Sequence, residues 1–257
     1  MSDLEITVRD RVQTIRFTRP DKKNALMSTM YAAMTKALLD GDASLDVSVH
    51  MFIGSGGVFS AGSDIKEFIA RAKGGNALGG DVSKFIQTLP RVQKPMIAAV
   101  DGLAIGIGTT LLFHCDLVYA TPAATLRTPF LDLGLVPEAG SSLLGPQRMG
   151  YARAFELLVL GETFPAERAR DAGLVNAIVS AEDLEATALK AAHRLAAKPP
   201  GALAASRRLM RGSPDEIVAQ IDEEVKVFGT RLSSPEAGEA FAAFMEKRKP
   251  DFAKLRT

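Results

Sequence analysis

Apolar and polar positions alternate with a period of two over residues 4–8 and 12–17, which predicts two strands of a hairpin turned by Arg9-Asp10-Arg11. Over residues 28–40 the spacing becomes helical. Four short apolar runs, 47–53, 96–100, 116–120 and 174–179, read as further strands, separated by helical stretches such as 151–158 and 165–172. Strands that alternate with helices predict an α/β architecture, a stacked β-β-α spiral. Beyond Ala181 the pattern is almost wholly helical, broken at Pro199-Pro200-Gly201 and at Ser213-Pro214. The chain therefore divides into an α/β core over residues 1–198 and a helical region over 199–257.

Composition narrows the class of molecule. A chain of 257 residues, 47% hydrophobic, can bury a sizeable core. Its net charge of +1 offers no basic excess for nucleic acid. Cys115 is the sole cysteine, so no intramolecular disulfide can form, as expected in a reducing cytosol; within an apolar run it reads as a small buried side chain. Acidic residues among the first five and the lack of a membrane-length apolar stretch point to a cytoplasmic protein without a membrane partner. His50, His114 and His193 lack metal-ligand spacing, and no metal is expected. The Gly74–80 segment reads either as a mobile flap or as a disordered surface loop.

Two glycine-bearing turns carry the candidate chemistry. Ser60-Ala61-Gly62-Ser63-Asp64 and Gly102-Leu103-Ala104-Ile105-Gly106-Ile107-Gly108 each follow an apolar run, 51–54 and 96–100, and precede a helical one, 65–72 and 109–114. Free N–H groups and the positive end of the dipole gather at each helix start. Paired donors of this kind suit the oxyanion that forms when a thioester carbonyl becomes an enolate. The competing reading is that Gly62, Gly106 and Gly108 only permit tight turns.

With these turns in place the chain resembles the crotonase (enoyl-CoA hydratase/isomerase) superfamily nearly end to end. The likeness is carried by Arg19-Pro20-Asp21-Lys22-Lys23-Asn24-Ala25-Leu26, Phe59-Ser60-Ala61-Gly62-Ser63-Asp64-Ile65-Lys66 and Lys94-Pro95-Met96-Ile97-Ala98-Ala99-Val100-Asp101-Gly102. It continues through Cys115-Asp116-Leu117-Val118-Tyr119-Ala120, Leu133-Gly134-Leu135-Val136-Pro137, residues 169–175 and the tail 244–252. The resemblance implies a crotonase-like spiral whose helical end covers the active site and builds a homotrimer, often paired into a hexamer. Phe241, Phe244 and Met245 are then expected to pack against neighbouring subunits. It also implies an acyl-CoA thioester as substrate, with no permanently bound cofactor. The oxyanion donors would be the amides of Ser63 and Ile107, the isoleucine standing where the family often has a third glycine. Lys22, Lys23, Ala25 and Ala61 would line the coenzyme A groove, Lys66 would lie near the adenine, and Lys247 or Arg248 would reach a neighbouring subunit's coenzyme A.

The acid/base pattern departs from that of a hydratase. Where the resembled hydratases carry two glutamates that grip a water, this chain has Thr110 and Phe130. Glu138 stands instead at the place of the catalytic glutamate of the peroxisomal type of Δ3,Δ2-enoyl-CoA isomerase. One base suffices to move a proton from C2 to C4. Phe130, Leu133 and Val136 are expected to exclude water and raise its pKa. Glu138 can also be read as a helix-start carboxylate, and Asp132 is a rival base that could equally face solvent. Asp64 reads as a helix cap, while Thr110 and Ser142 read either as acyl-pocket hydrogen-bond donors or as packing. The expected activity is enoyl-CoA isomerisation in fatty-acid metabolism. A hydratase, an acyl-CoA hydrolase or another enzyme of the superfamily, and a non-catalytic acyl-CoA binding protein, remain the alternatives.

Overall fold

The computed structural model describes residues 3–73 and 78–255. Strands β1 (Leu4–Arg9) and β2 (Val12–Phe17) pair antiparallel, and the two residues between them, Asp10 and Arg11, both adopt left-handed φ. This is the tight turn that matches the twist of a hairpin. Helix α1 (Ser28–Ala43) leads to β3 (Val49–Gly54), which lies parallel to β2. Helices α2 (Ile65–Lys73) and α3 (Asp81–Thr88) precede β4 (Met96–Val100), β5 (Leu103–Ile105) and α4 (Ile107–Thr110). Then come β6 (Leu117–Ala120), β7 (Thr125–Arg127), α5 (Ser141–Met149), α6 (Tyr151–Leu158), β8 (Phe164–Pro165), α7 (Ala166–Asp171) and β9 (Ala177–Ile178).

The chain winds repeatedly between two sheets. The larger has the order β1-β2-β3-β4-β6-β9 and is parallel after its first hairpin; the smaller has the order β5-β7-β8. Ser60 joins the smaller sheet through a bridge to Ala104, so the segment after β3 supplies its turn of the spiral without a full strand. Alternate residues of the central strands face opposite layers. Phe52, Ala98 and Val100 enter the main core, whereas Met51, Ile53, Ile97 and Ala99 pack with Leu184, Ala188 and Ala192 of α8 (Ala181–Ala196). Both faces are covered, which is why these strands read as continuous apolar runs in the sequence.

The helical end continues as α9 (Pro200–Arg211), α10 (Pro214–Leu232) and α11 (Pro235–Met245). The expected breaks lie slightly earlier, at 197–199 and 212–213, because Pro200 and Pro214 open the helices that follow, and a third break lies at 233–234 before Pro235. The Ser213 and Ser234 side chains accept from Asp215 N and Ala237 N, and proline at the first helical position completes each start.

Three local expectations need correction. The run 174–179 contributes only a two-residue strand, because the amides of Leu174 and Val175 fold back onto the carbonyl of Ala169 at the end of α7. The helix after the second glycine turn starts at Ile107, two residues early, and tightens after one turn into a 3-10 segment, Leu111–His114. Phe241 packs on Phe68 of its own chain, with ring centroids 5.8 Å apart, whereas Phe244 and Met245 are 51% and 68% exposed. Of the glycine-rich 74–80 segment, residues 74–77 lie outside the described residues.

Candidate active site

The first glycine turn is held from both sides. Leu26 N donates to Gly62 O at 2.8 Å and Leu26 O accepts from Asp64 N at 2.8 Å, while Ser60 exchanges backbone hydrogen bonds with Leu103 and Ile105. Gly62 has φ +86°, and a Cβ there would sit 2.7 Å from Ile105 O, so glycine is required on two counts. Asp64 caps α2 by accepting from Lys66 N at 3.1 Å and is held by Arg19 at 2.9 Å, which matches its reading as a cap. The second turn pivots on Gly106, φ +55°, whose N–H donates to Arg127 O and whose carbonyl accepts from Thr109 N and Thr110 N. These bonds leave the N–H groups of Ser63 and Ile107 without a protein acceptor among the described residues.

Both residues border one cavity of about 630 Å³. Its apolar wall includes Tyr31, Phe68, Leu78, Val82, Phe130 and Phe228, and the exposed cations Lys22 and Arg248 stand on its lining with Ala25 and Ala61. Arg248 is held by Glu239 at 2.5 Å on the lining of its own chain's cavity. Lys23 and Lys66 are absent from the lining; Lys23 contributes its carbonyl, which accepts from Ala61 N at 2.9 Å. Leu133 and Leu135 line the cavity and Val136 does not.

Glu138 opens onto this cavity and is only 4% exposed. Its Oε1 accepts from Thr110 Oγ1 at 2.5 Å. Burial pushes its carboxyl up to about 8; the Thr110 hydroxyl opposes this and the nearby charge of Glu224 adds to it. The Thr110 hydroxyl thus orients the Glu138 carboxyl. Asp132 also borders the cavity, but it is exposed and paired with Arg127 at 2.8 Å.

The helix-start reading of Glu138 is overturned. Helix α5 begins at Ser141, and its first amides are capped from α10: Gly140 N donates to Glu224 Oε2 at 2.6 Å and Ser142 N to Glu224 Oε1 at 3.0 Å. Ser142 Oγ also donates to Glu224, so its hydroxyl serves this cap and not an acyl pocket. Sequence reasoning missed Glu224, although a signal was present. Ile217, Ile221, Glu224 and Phe228 recur at helical spacing, a carboxylate within a buried stripe. It also missed Tyr31, whose hydroxyl lies 2.7 Å from Ser63 Oγ at the cavity wall.

The remaining reactive side chains are structural. Cys115 is buried and its thiol is pushed up to about 12. His114 is buried, its pKa is pushed down to about 3, and Nε2 donates to Ala139 O at 2.6 Å. Among the described residues no cluster of His, Cys, Asp and Glu has a geometry that could hold a metal ion. No helix among them is long and apolar enough to cross a membrane.

A sequence profile of the enoyl-CoA hydratase/isomerase family matches residues 7–255. The chain is 33% identical to enoyl-CoA delta isomerase 2 of Rattus norvegicus over 95% of its own length and 63% of the rat protein, so it spans less than two thirds of that relative. It is 34% identical to the probable enoyl-CoA hydratase echA8 of Mycobacterium leprae (strain TN), over 94% of each chain. The crystal structure of an enoyl-CoA hydratase/isomerase from Pseudoalteromonas atlantica T6c matches with a TM-score of 0.91 at 38% identity, covering 98% of this chain and 100% of that one.

Proposed function

The chain belongs to the enoyl-CoA hydratase/isomerase family and has its crotonase-like spiral fold, and on that premise we propose that it is a Δ3,Δ2-enoyl-CoA isomerase with Glu138 as its acid/base group. Relatives of similar identity carry both isomerase and hydratase names, so the choice between the two activities rests on the site itself. One observation carries it: a buried carboxyl opens onto the same cavity as two unpaired amides. The resemblance adds that Thr110 and Phe130 replace the two glutamates of a hydratase.

The thioester carbonyl of a 3-enoyl-CoA accepts from the N–H groups of Ser63 and Ile107. Ionised Glu138 removes a proton from C2, and the two amides stabilise the dienolate oxygen as its charge develops. Protonated Glu138 then delivers the proton to C4, which leaves the double bond between C2 and C3. The apolar wall keeps water from competing for the dienolate. No electrons leave the substrate, so the cycle needs no permanently bound cofactor. Lys22 and Arg248 suit the phosphates of coenzyme A, and Ala25 and Ala61 leave room for its pantetheine arm. The subunits assemble as a trimer or hexamer through the helical region 199–257.

The test is turnover of purified protein on paired substrates. A 3-enoyl-CoA should be converted to the 2-enoyl isomer, and hydration of a 2-enoyl-CoA should be slow by comparison. Hydration as fast as isomerisation would overturn the reading, and binding of both thioesters without turnover of either would reduce the protein to an acyl-CoA carrier.

A further inference from the structure

We propose that Glu224, on α10, is a positioning residue for the Glu138 carboxyl, so that the base is held in place from the helical end of the chain. The inference rests on Glu138 being the base. The turn that carries Glu138 into the cavity wall has two successive left-handed residues, Ala139 with φ +58° and Gly140 with φ +72°. The first bears a Cβ and is strained there, so this backbone persists only where its surroundings over-determine it. Its own helix offers no help, because the N-cap of α5 is Gly140, which has no side chain to cap with.

Glu224 supplies what is missing from 84 residues away. It receives Gly140 N, Ser142 N and Ser142 Oγ at once, and Gln220, one turn earlier on α10, donates to Ser142 Oγ at 3.0 Å. Gly140 is packed so closely on α10 that a Cβ there would lie 3.0 Å from Ile217 Cγ2. A serine at an N-cap satisfies a first-turn amide without burying a charge. Glu224 is 5% exposed and has no cationic partner among the described residues, so its charge leans only on amides, a hydroxyl and the start of α5.

The Glu224 carboxylate binds the amide two residues beyond Glu138, near enough for its charge to bear on the Glu138 carboxyl. Around the two carboxylates, α5 contributes Ser142 and the 3-10 segment before β6 contributes His114, which is neutral at a pKa of about 3. Of the other charges of α10, Glu216 is exposed, Asp222 is engaged with Gln87 of α3, Glu223 with Lys226, Asp215 with Arg91, and Arg231 with Glu236 of α11. The charged groups that line the same cavity as Glu138 are the Arg127–Asp132 pair, Lys22 and Arg248. When ionised, Glu224 is the group through which α10 raises the affinity of Glu138 for a proton, adding to the larger effect of burial.

Three variants separate the brace from the charge. Glu224→Gln keeps much of the brace and removes the charge; Glu224→Asp keeps the charge and shortens the brace; Glu138→Gln identifies the Glu138 carboxyl signal in the carbon NMR spectrum of glutamate-labelled protein. In folded Glu224→Gln the Glu138 carboxyl should titrate lower by on the order of one pH unit, and the acid limb of kcat/KM for a 3-enoyl-CoA should move with it. Glu224→Asp should lose about tenfold or more in kcat with KM little changed and no lower acid limb. An unmoved Glu138 titration in folded Glu224→Gln, or full kcat in Glu224→Asp, overturns the inference while leaving Glu138 as base. A Glu138 signal that moves in a protein whose Glu138→Gln variant stays active would instead overturn the assignment of the base and keep the coupling between the two carboxylates.

Discussion

At the scale of single residues, the contrast between Glu138 and Asp132 is one of environment. Both carboxylates border the cavity, but one is buried against a threonine hydroxyl and the other is exposed against an arginine. Glu138→Gln preserves size and hydrogen bonding yet cannot carry a proton, so isomerisation should fall by about a hundred- to ten-thousandfold, whereas Asp132→Asn should keep most activity. Steady-state rates of both variants on a 3-enoyl-CoA make the comparison, and a reversed outcome would move the base to Asp132. Because a base must be ionised and burial pushes Glu138 up to about 8, kcat/KM should rise with pH and level off above that value. A profile already flat from pH 6 upward would argue against Glu138. Its position and residue type could be read from the sequence. Its burial, its hydroxyl partner and the second carboxylate behind it could not, because Thr110 and Glu224 are 28 and 84 residues from the groups they bond.

At the scale of elements, each proposed oxyanion donor exists because a strand gives way to a helix across a glycine. Gly108 lies within α4 directly after the Ile107 donor, and a Cβ on it would meet Ser60 O at 3.0 Å and Ser60 Cβ at 3.2 Å. Gly108→Val should therefore push the two turns apart and lower kcat by about a hundredfold or more, the usual effect of losing one such donor. Calorimetric affinity for coenzyme A should change far less. Unaltered turnover in the folded variant would show that the donors lie elsewhere. The glycine pattern exposed both turns in the sequence. That they border one cavity is a property of the small sheet, where Ser60 joins β5 beside Ala104.

For the whole molecule, the two buried carboxyls tie stability to pH. Both Glu138 and Glu224 have pKa values raised by burial, so the folded chain keeps protons that the unfolded chain has already released. Their contribution is complete below the ordinary glutamate value and is lost as pH rises through the folded values, for Glu138 between about 4.5 and about 8. Within that window one such group costs up to about 1.4 kcal/mol per pH unit. Denaturant titrations at several pH values should show Glu138→Gln losing less stability than the parent chain as the pH is raised from 5 to 8. Parallel losses would mean that the carboxyl is ionised in the folded state. Phe244 and Met245, with Leu209 and Met210 of α9, are large apolar side chains left exposed on the single chain, at 51%, 68%, 81% and 89%. Light scattering should accordingly return the mass of a trimer or hexamer, and a monomer at micromolar concentration would remove the helical region from that role.

Taken alone, the sequence determined what is local: the hairpin, the glycine turns and the helices of the second half. Those features follow from spacing of apolar residues, turn chemistry and side-chain identity, all of which act over a few residues. Only the tertiary structure decided which polar groups became neighbours. Phe241 turned inward onto Phe68, Arg248 came to its own chain's cavity, and Glu224 took the helix-capping role that the sequence had suggested for Glu138. Each of those contacts joins segments far apart in the chain. A buried carboxylate must find donors wherever packing brings them, and a sequence read along its length does not say which distant amides those will be.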